Sequence, residues 1–385
     1  MARRASGTPR HMTGDVQGIA EQVRDAARRG VGLRIAGAGS WLDAGRPVRT
    51  VETLSLASHA GVVEYVPGDL TLTARAGTTL REIAEVTRAH GQWLPLDAPG
   101  TEDGTIGATI ATASWGPLAT AFGTPRDHVV GLEFVTGAGD VVRGGGRVVK
   151  NVAGFDLVRL NTGAWGTLGA ITEVTVRLRA LPAAMRALAV AVPDAAGLAR
   201  ALGALRALPA SPYACELLNA PLAHALALGT QPTLLVRVGG NAELVRALGD
   251  AVLGLDHARA VDESMWARLR EVTGGDAWTW RASRRPSEFP SLWDSVVGAL
   301  DALPGALVHA SPLRGVVRCL VPRAEPAAAC AAIGGMQPAR VIGEVLPDAA
   351  WRVLPAPVGD RLSRGIKRAF DPHDVLNPGI LGDAR

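Results

Sequence analysis

A chain of 385 residues is too long for one small module and long enough for two domains, each with its own core. Apolar residues make up 48% and charged residues 20%, with a formal net charge of +4, which excludes a disordered tail or a collagen-like repeat. Only Lys150 and Lys367 are lysines, and the arginines are dispersed among acids, so the positive balance carries no nucleic-acid signal.

The opening MARRASGTPRHM is basic but lacks the apolar core of a targeting segment, and no run of about 18 apolar residues follows, so neither export nor membrane spanning is expected. Val16, Ile19, Ala20, Val23 and Ala27 recur at helical spacing, and Gly30 closes that first helix. VGLRIA is a short apolar run that breaks into GAGSWLDAGRP, a loop by composition. VVEYVP and LTLTARAG read as strands, and Thr79 with Glu82 forms a capping box ahead of LREIAEVTRAH, which Gly91 ends. A Pro/Gly-rich passage leads into TIGATIATAS; GLEFVTGAGDVVRGGG predicts a hairpin turned at 137–140. Asp156 caps DLVRLNTG, and ITEVTVRL aligns Val174, Val176 and Leu178 on one face.

LPAAM marks a domain boundary. Beyond it LAVAV, TLLVRV, WTWRAS, LVHAS and VVRCLV alternate with three Ala- and Leu-rich helical segments, which predicts an α+β domain with helices over a mostly antiparallel sheet. The expected division is 1–182, 183–355 and a C-terminal segment, 356–385, whose helix stops at Asp371-Pro372.

RIAGAGSWL has Gly37 and Gly39 but Leu42 where a dinucleotide fingerprint needs its third glycine, so that reading fails. The turn still exposes successive N–H groups, either as an anion nest or as a plain strand-to-loop turn. PGTEDGTIGATIATAS offers either a helix N-terminus for a pyrophosphate or a small-residue helix packed on a sheet. One extended diphosphate would account for both. The eight histidines show no metal-binding spacing, and neither a G-x-S-x-G elbow nor a P-loop is present. Cys215, Cys319 and Cys330 are isolated, which fits a reducing, cytoplasmic setting. Trp278 and Trp280 share one strand face, a packing pattern more than a base-stacking platform.

GAGSW, the stretch from PGTEDG through RVVKNVAGFDLVRLNTGAWGTLGAITEVTVRLRALP, and FDPHDVLNPG together resemble the FAD-binding PCMH-type flavoproteins, the vanillyl-alcohol oxidase superfamily. Within it they are most similar to the FAD-binding subunits of bacterial glycolate oxidases. The likeness covers about 15–182 and the C-terminal tail. It implies a two-subdomain FAD domain followed by an α+β cap. Gly37, Ala38, Gly39 and Ser40 would form the first pyrophosphate loop, and Pro99, Gly100, Thr101, Thr105, Ile106 and Gly107 the second. Ala111, Thr112, Gly116, Gly123 and Asp127 would line the ribityl and ring region, Gly166, Gly169 and Ile171 the adenine side, and Asn377 would return near the flavin. Ser40 stands where covalently flavinylated relatives carry His, so FAD is expected to be held non-covalently.

Catalytic relatives carry an HxxGDGN-type metal and substrate motif; here the nearest string, VHASPLRGVVR, keeps only His309, and no metal site is expected. Arg281, with Arg284 and Arg285 nearby, is the candidate carboxylate clamp, against the alternative of solvated arginines; His257 and His373 read as surface residues. The resemblance implies oxidation of a small 2-hydroxy acid such as glycolate, beside a homologous catalytic flavin subunit and an iron–sulfur subunit. Any membrane contact would come through that complex. A stand-alone oxidoreductase acting on D-lactate or another alcohol, and a non-catalytic FAD-binding accessory subunit, are the alternatives.

Overall fold

The computed structural model describes residues 16–49, 51–146, 156–301, 303–336 and 339–382. The MARRASGTPRHM segment and the 147–155 part of the resemblance string lie outside the described residues. The first unit begins with the helix Val16–Arg29, which buries Ile19, Ala20, Val23 and Ala26 on one face. It ends at Gly30, whose φ of +66° a side chain would strain. The strand Gly32–Ala36 follows and pairs in parallel with Val51–Ser55. Five antiparallel strands form the main sheet, in the order Val62–Val66, Thr71–Arg75, Ala170–Arg177, Val129–Val135, Val141–Gly145. Leu72, Phe134, Val174 and Val176 fill its core. The Thr79–Glu82 capping box and the 137–140 hairpin turn form as the sequence predicts.

The second unit is an eight-stranded sheet, antiparallel throughout: Ala258–Val261, Ala184–Ala191, Thr233–Gly240, Ala214–Leu218, Leu307–Ser311, Val316–Pro322, Ala277–Ser283, Arg340–Val345. One face carries the helices Ala195–Arg206, Ala242–Leu253, Phe289–Leu300 and Pro326–Gly335 over a core that includes Leu217, Val236, Trp280 and Phe289. On the opposite face, Leu222, Leu226, Trp266 and Leu269 cover only the part around Ala187, Ala189 and Leu235. The rest of that face carries charge and meets the first unit. Trp280 is core, as expected, while Trp278 lies under the Arg323 guanidinium at 4.3 Å.

Strand-to-strand connection changes units between Arg179–Ala180, which pairs with Gln92–Trp93, and Ala184–Ala191. The tail helix Arg361–Phe370 is followed by a turn pinned by Asp371, whose carboxylate accepts from Val375 N (3.0 Å) and Leu376 N (2.8 Å). Leu33 N then donates to Val375 O at 2.7 Å and Asn377 N to Leu33 O at 2.9 Å, so the tail lies along the Gly32–Ala36 strand. Among the described residues no helix is long and apolar enough to cross a membrane.

The two units close tightly at one point. A Cβ on Gly274, at the end of the helix Ser264–Thr273, would lie 2.3 Å from Gly100 Cα, and Gly100 N donates to Arg270 O at 2.9 Å. Gly274→Ala should therefore cost about 1–3 kcal/mol through overpacking, read as a lower denaturation midpoint and faster proteolysis at the seam. An unchanged midpoint would show that the seam carries no such constraint.

Candidate functional site

The Gly32–Ala36 strand feeds a turn in which Gly37, Ala38, Gly39, Ser40 and Trp41 have backbone N–H groups with no acceptor among the described residues. Arg34, only 8% exposed, holds this turn from its carbonyl side. One guanidinium nitrogen donates to Trp41 O (2.7 Å), Leu42 O (3.1 Å) and Ala44 O (3.0 Å). Burial holds the Arg34 guanidinium below its ordinary pKa, with Asp43 opposing. The turn is thus shaped while its donors stay free, the arrangement of an anion nest.

The second glycine segment touches the first. A Cβ on Gly37 would fall 2.2 Å from Thr105 Oγ1, and one on Gly107 would fall 2.6 Å from Ala76 Cβ. Gly37, Gly39 and Ser40, then Thr105, Gly107, Ala111 and Thr112, then Gly166, Gly169, Ile171 and Asn377 all line one cleft; Ala38 belongs to its turn. The short helix Ile106–Thr112 contributes differently from the expectation. Ile106 N donates to Thr78 O and Gly107 N to Ala76 O, both at 2.9 Å, and Ala108 N to Thr105 Oγ1 at 3.4 Å. Its first donors are consumed by the neighbouring strand end, so it offers close approach in place of free N–H groups.

Other expected residues stand outside this lining. Gly100 N is bonded across the seam, Pro99 lies beside it, and Thr101 O accepts from Gly104 N at 3.3 Å. Ile106 is buried in the core. Gly116 packs against Asp97 O, where a Cβ would come within 2.1 Å, and Gly123, at φ +89°, leaves room for Asp127. Asp127 Oδ2 caps the next helix, accepting from Thr124 N (2.7 Å) and Thr124 Oγ1 (3.0 Å). These residues shape turns.

Asn377 joins three segments, its Oδ1 accepting from Ile35 N at 2.9 Å and its Nδ2 donating to Trp165 O at 2.7 Å. Trp165 meets Trp41 edge to face at 5.9 Å, and both rings line the cleft with Ile35 and Leu56. Sequence reasoning passed over Arg34, Trp41 and Trp165, although both tryptophans stand inside the quoted motif strings. Free backbone donors for phosphate, glycines at the points of closest approach and apolar walls with two indoles fit FAD.

A second constellation crosses the cap sheet. His309 is paired with Arg318, and Arg318 with Arg281, on adjacent strands. His309 Nδ1 lies 2.8 Å from Glu216 Oε2, Ser311 Oγ bonds the other Glu216 oxygen, and His309 Nε2 is buried without a partner. Glu344 lies between two guanidiniums, 2.8 Å from Arg281 Nε and 2.5 Å from Arg318. Arg281 and Arg314 flank the Trp115 ring of the first unit at 5.4 and 4.7 Å, and Arg314 donates to Ala119 O at 2.7 Å. Burial lowers the Arg314 pKa, opposed by Asp127 and Glu216. Arg281 and His309 thus belong to one charged face. Arg285 instead pairs with Glu288 at the surface, Arg284 is near Ser291, and His257 and His373 are exposed.

Residues 12–145 match the family described as FAD binding domain. The chain is 41% identical over 169 residues to glycolate oxidase subunit GlcE of Escherichia coli (strain K12), covering 44% of this chain and 48% of that subunit, so it spans about half the relative's length. It is 28% identical over 419 residues to D-2-hydroxyglutarate dehydrogenase of Xanthomonas citri pv. viticola, covering 96% and 88% of the two chains. The solved structure of p-cresol methylhydroxylase with substrate bound superposes with a TM-score of 0.72 at 19% identity, over 96% of this chain and 88% of the other. That likeness is one of fold.

Gly37→Val would drive a side chain into Thr105 and should weaken FAD binding roughly ten- to hundredfold, measured as flavin absorbance retained after desalting. Retention equal to the parent protein would remove the first turn from the cofactor site.

Proposed function

We propose, from the premise that this chain carries a PCMH-type FAD-binding domain, that it oxidises a small 2-hydroxy acid, glycolate being the simplest, as the flavin subunit of a larger complex. Relatives named for glycolate oxidase and for D-2-hydroxyglutarate dehydrogenase support the substrate class. The cleft residues around Gly37, Gly39, Ser40 and Asn377 would hold FAD without a covalent bond, since Ser40 occupies the loop position at issue. When bound, the flavin would supply the acceptor for the two electrons that leave the carbinol carbon.

The observation that carries the reading is the His309–Glu216 pair. Glu216, held also by Ser311, lies against His309 Nδ1 and would orient the ring so that the unpartnered Nε2 serves as the base for the hydroxyl proton. Glu344 already engages both Arg281 and Arg318, so the clamp for the substrate carboxylate is better assigned to Arg314, which has no carboxylate in salt-bridge range among the described residues. Arg281 then acts by supporting Trp115 and Glu344. Among the described residues no group of His, Cys, Asp and Glu side chains could hold a metal ion, and the three free cysteines are Cys215, Cys319 and Cys330. Electrons would pass to an iron–sulfur partner subunit of the complex, and isolated cysteines fit a reducing, cytoplasmic compartment.

Trp115 favours a second reading. Its ring covers both Arg281 and Arg314, which suits an accessory subunit whose flavin is reduced only beside a catalytic partner.

Under anaerobic conditions glycolate or D-lactate should bleach the flavin of the purified protein. His309→Gln should slow that reduction by roughly 10²–10⁴-fold with FAD content unchanged, and Arg314→Met should raise the KM more than it lowers kcat. A flavin that stays oxidised alone and is reduced once the partner subunits are added would select the accessory reading.

A further inference from the structure

Glu344 stands at an irregularity of the cap sheet. Thr279 faces Val345 and Trp280 faces Gly343, so Glu344 is an extra residue, a bulge on the edge strand Arg340–Val345. A bulged residue drops out of the ladder, which releases its backbone and re-aims its side chain. The side chain is buried against Arg281 Nε at 2.8 Å and Arg318 at 2.5 Å. The backbone carbonyl crosses to the first unit and accepts from Gly45 N at 2.7 Å.

Gly45 closes the glycine turn at the mouth of the FAD cleft. The peptide between Ala44 and Gly45 is one planar group, and both of its ends are held. Arg34 donates to its oxygen at 3.0 Å, and its N–H goes to Glu344 O. The turn is therefore fixed from inside its own unit by Arg34 and from the cap by Glu344. Gly45 has a φ of +81°, and a Cβ there would lie 2.5 Å from Ile380 Cγ1 and 3.3 Å from Trp165 Cζ3, two residues of the cleft lining.

A second tie sits beside the first. Arg46 donates to Trp351 O and, at 2.7 Å, to Leu354 O, with its guanidinium 5.2 Å from the Trp351 ring centre. Trp351 packs on the edge strand next to the bulge, where a Cβ on Gly343 would come within 2.7 Å of its ring. The cap thus grips residues 45 and 46 at adjacent points, both at the bulge.

We infer that Glu344 is a positioning residue for the cofactor, through which the charged face of the cap sets the turn that meets FAD. Two arginines hold the carboxylate, the carboxylate fixes the bulge, and the carbonyl of the bulge orients the Ala44–Gly45 peptide. That peptide in turn fixes the direction of the free N–H groups before it. Glu344 itself is absent from the cleft lining, so FAD affinity depends on a charge pairing that the cofactor does not touch. A contact that only adds stability behaves differently: any equal loss of stability on the same strand would then loosen FAD as much. The inference rests on FAD lying in the cleft and stands apart from the roles given to His309 and Arg314.

The test titrates the full chain, stripped of flavin, with FAD and follows flavin fluorescence, beside the denaturation midpoint of each apoprotein. Glu344→Gln keeps the size of the side chain and removes its charge, and FAD should bind about five- to tenfold more weakly. Glu344→Asp keeps the charge and shortens the reach; it should weaken FAD about two- to fivefold and serves where the Gln variant does not fold. Val341→Ala trims the same strand where it packs on the core, and should lower the midpoint while FAD affinity stays within about twofold. Gly45→Ala should weaken FAD about tenfold, and adding Glu344→Gln to it should bring no further loss, because both act through one hydrogen bond. FAD affinity unmoved by either Glu344 change, an equal loss in Val341→Ala, or losses that add in the double variant would overturn the inference. Gly37→Val is the reference: if it alone weakens FAD, only this inference fails, and if neither Gly37 nor Glu344 matters, the cleft reading fails with it.

Discussion

A backbone anion site asks for two things that conflict: donors left without partners, and a turn rigid enough to keep them pointing one way. The contact of Arg34 with the carbonyls of Trp41, Leu42 and Ala44 resolves the conflict by ordering the turn through its acceptors only. The rest of the cleft that fits FAD is arranged around that turn. Gly37 lets Thr105 approach, Gly107 lets the helix rest on Ala76, and Asn377 ties the strand before the turn to Trp165. A turn of this kind offers an anion N–H groups with one buried guanidinium behind them, which is how a chain with two lysines could receive a diphosphate.

The cap solves a different problem. A sheet face turned toward the first unit holds Glu216, His309, Arg318, Arg281 and Glu344, charges that would be expensive to bury singly. Each is placed against an opposite charge or a hydrogen-bonding partner, and two arginines share one carboxylate. Such a face is costly as a core and useful as a site, because its residual donors and acceptors are held in fixed directions before any ligand arrives.

The difference in how far each half can be read from the sequence has the same origin. A backbone anion site imposes local demands, glycines such as Gly37 and Gly39 in one short string and Gly107 in a second, and each string can be read on its own in the chain. The cap cluster is assembled by strand register: Glu216 opposite Ser311, His309 beside Arg318, and Glu344 from the edge strand reaching Arg281. No local pattern announces it. The strand Ala214–Leu218 was missed because Glu216 interrupts its apolar run, and Arg340–Val345 because an edge strand tolerates Arg, Gly and Glu. The free helix N-terminus expected at Ile106 failed for a comparable reason, since the acceptors at Ala76 and Thr78 lie in the turn that follows the strand Thr71–Arg75.

The bond from Ile35 N to the Asn377 side chain spans 342 positions of sequence. Between its ends lies the entire cap, so the second edge of the Gly32–Ala36 strand is paired by a segment that returns only after the cap has been traversed. The cleft is completed by segments that are distant in the chain and adjacent in space, so its strand, its indole wall and its tail take their places together.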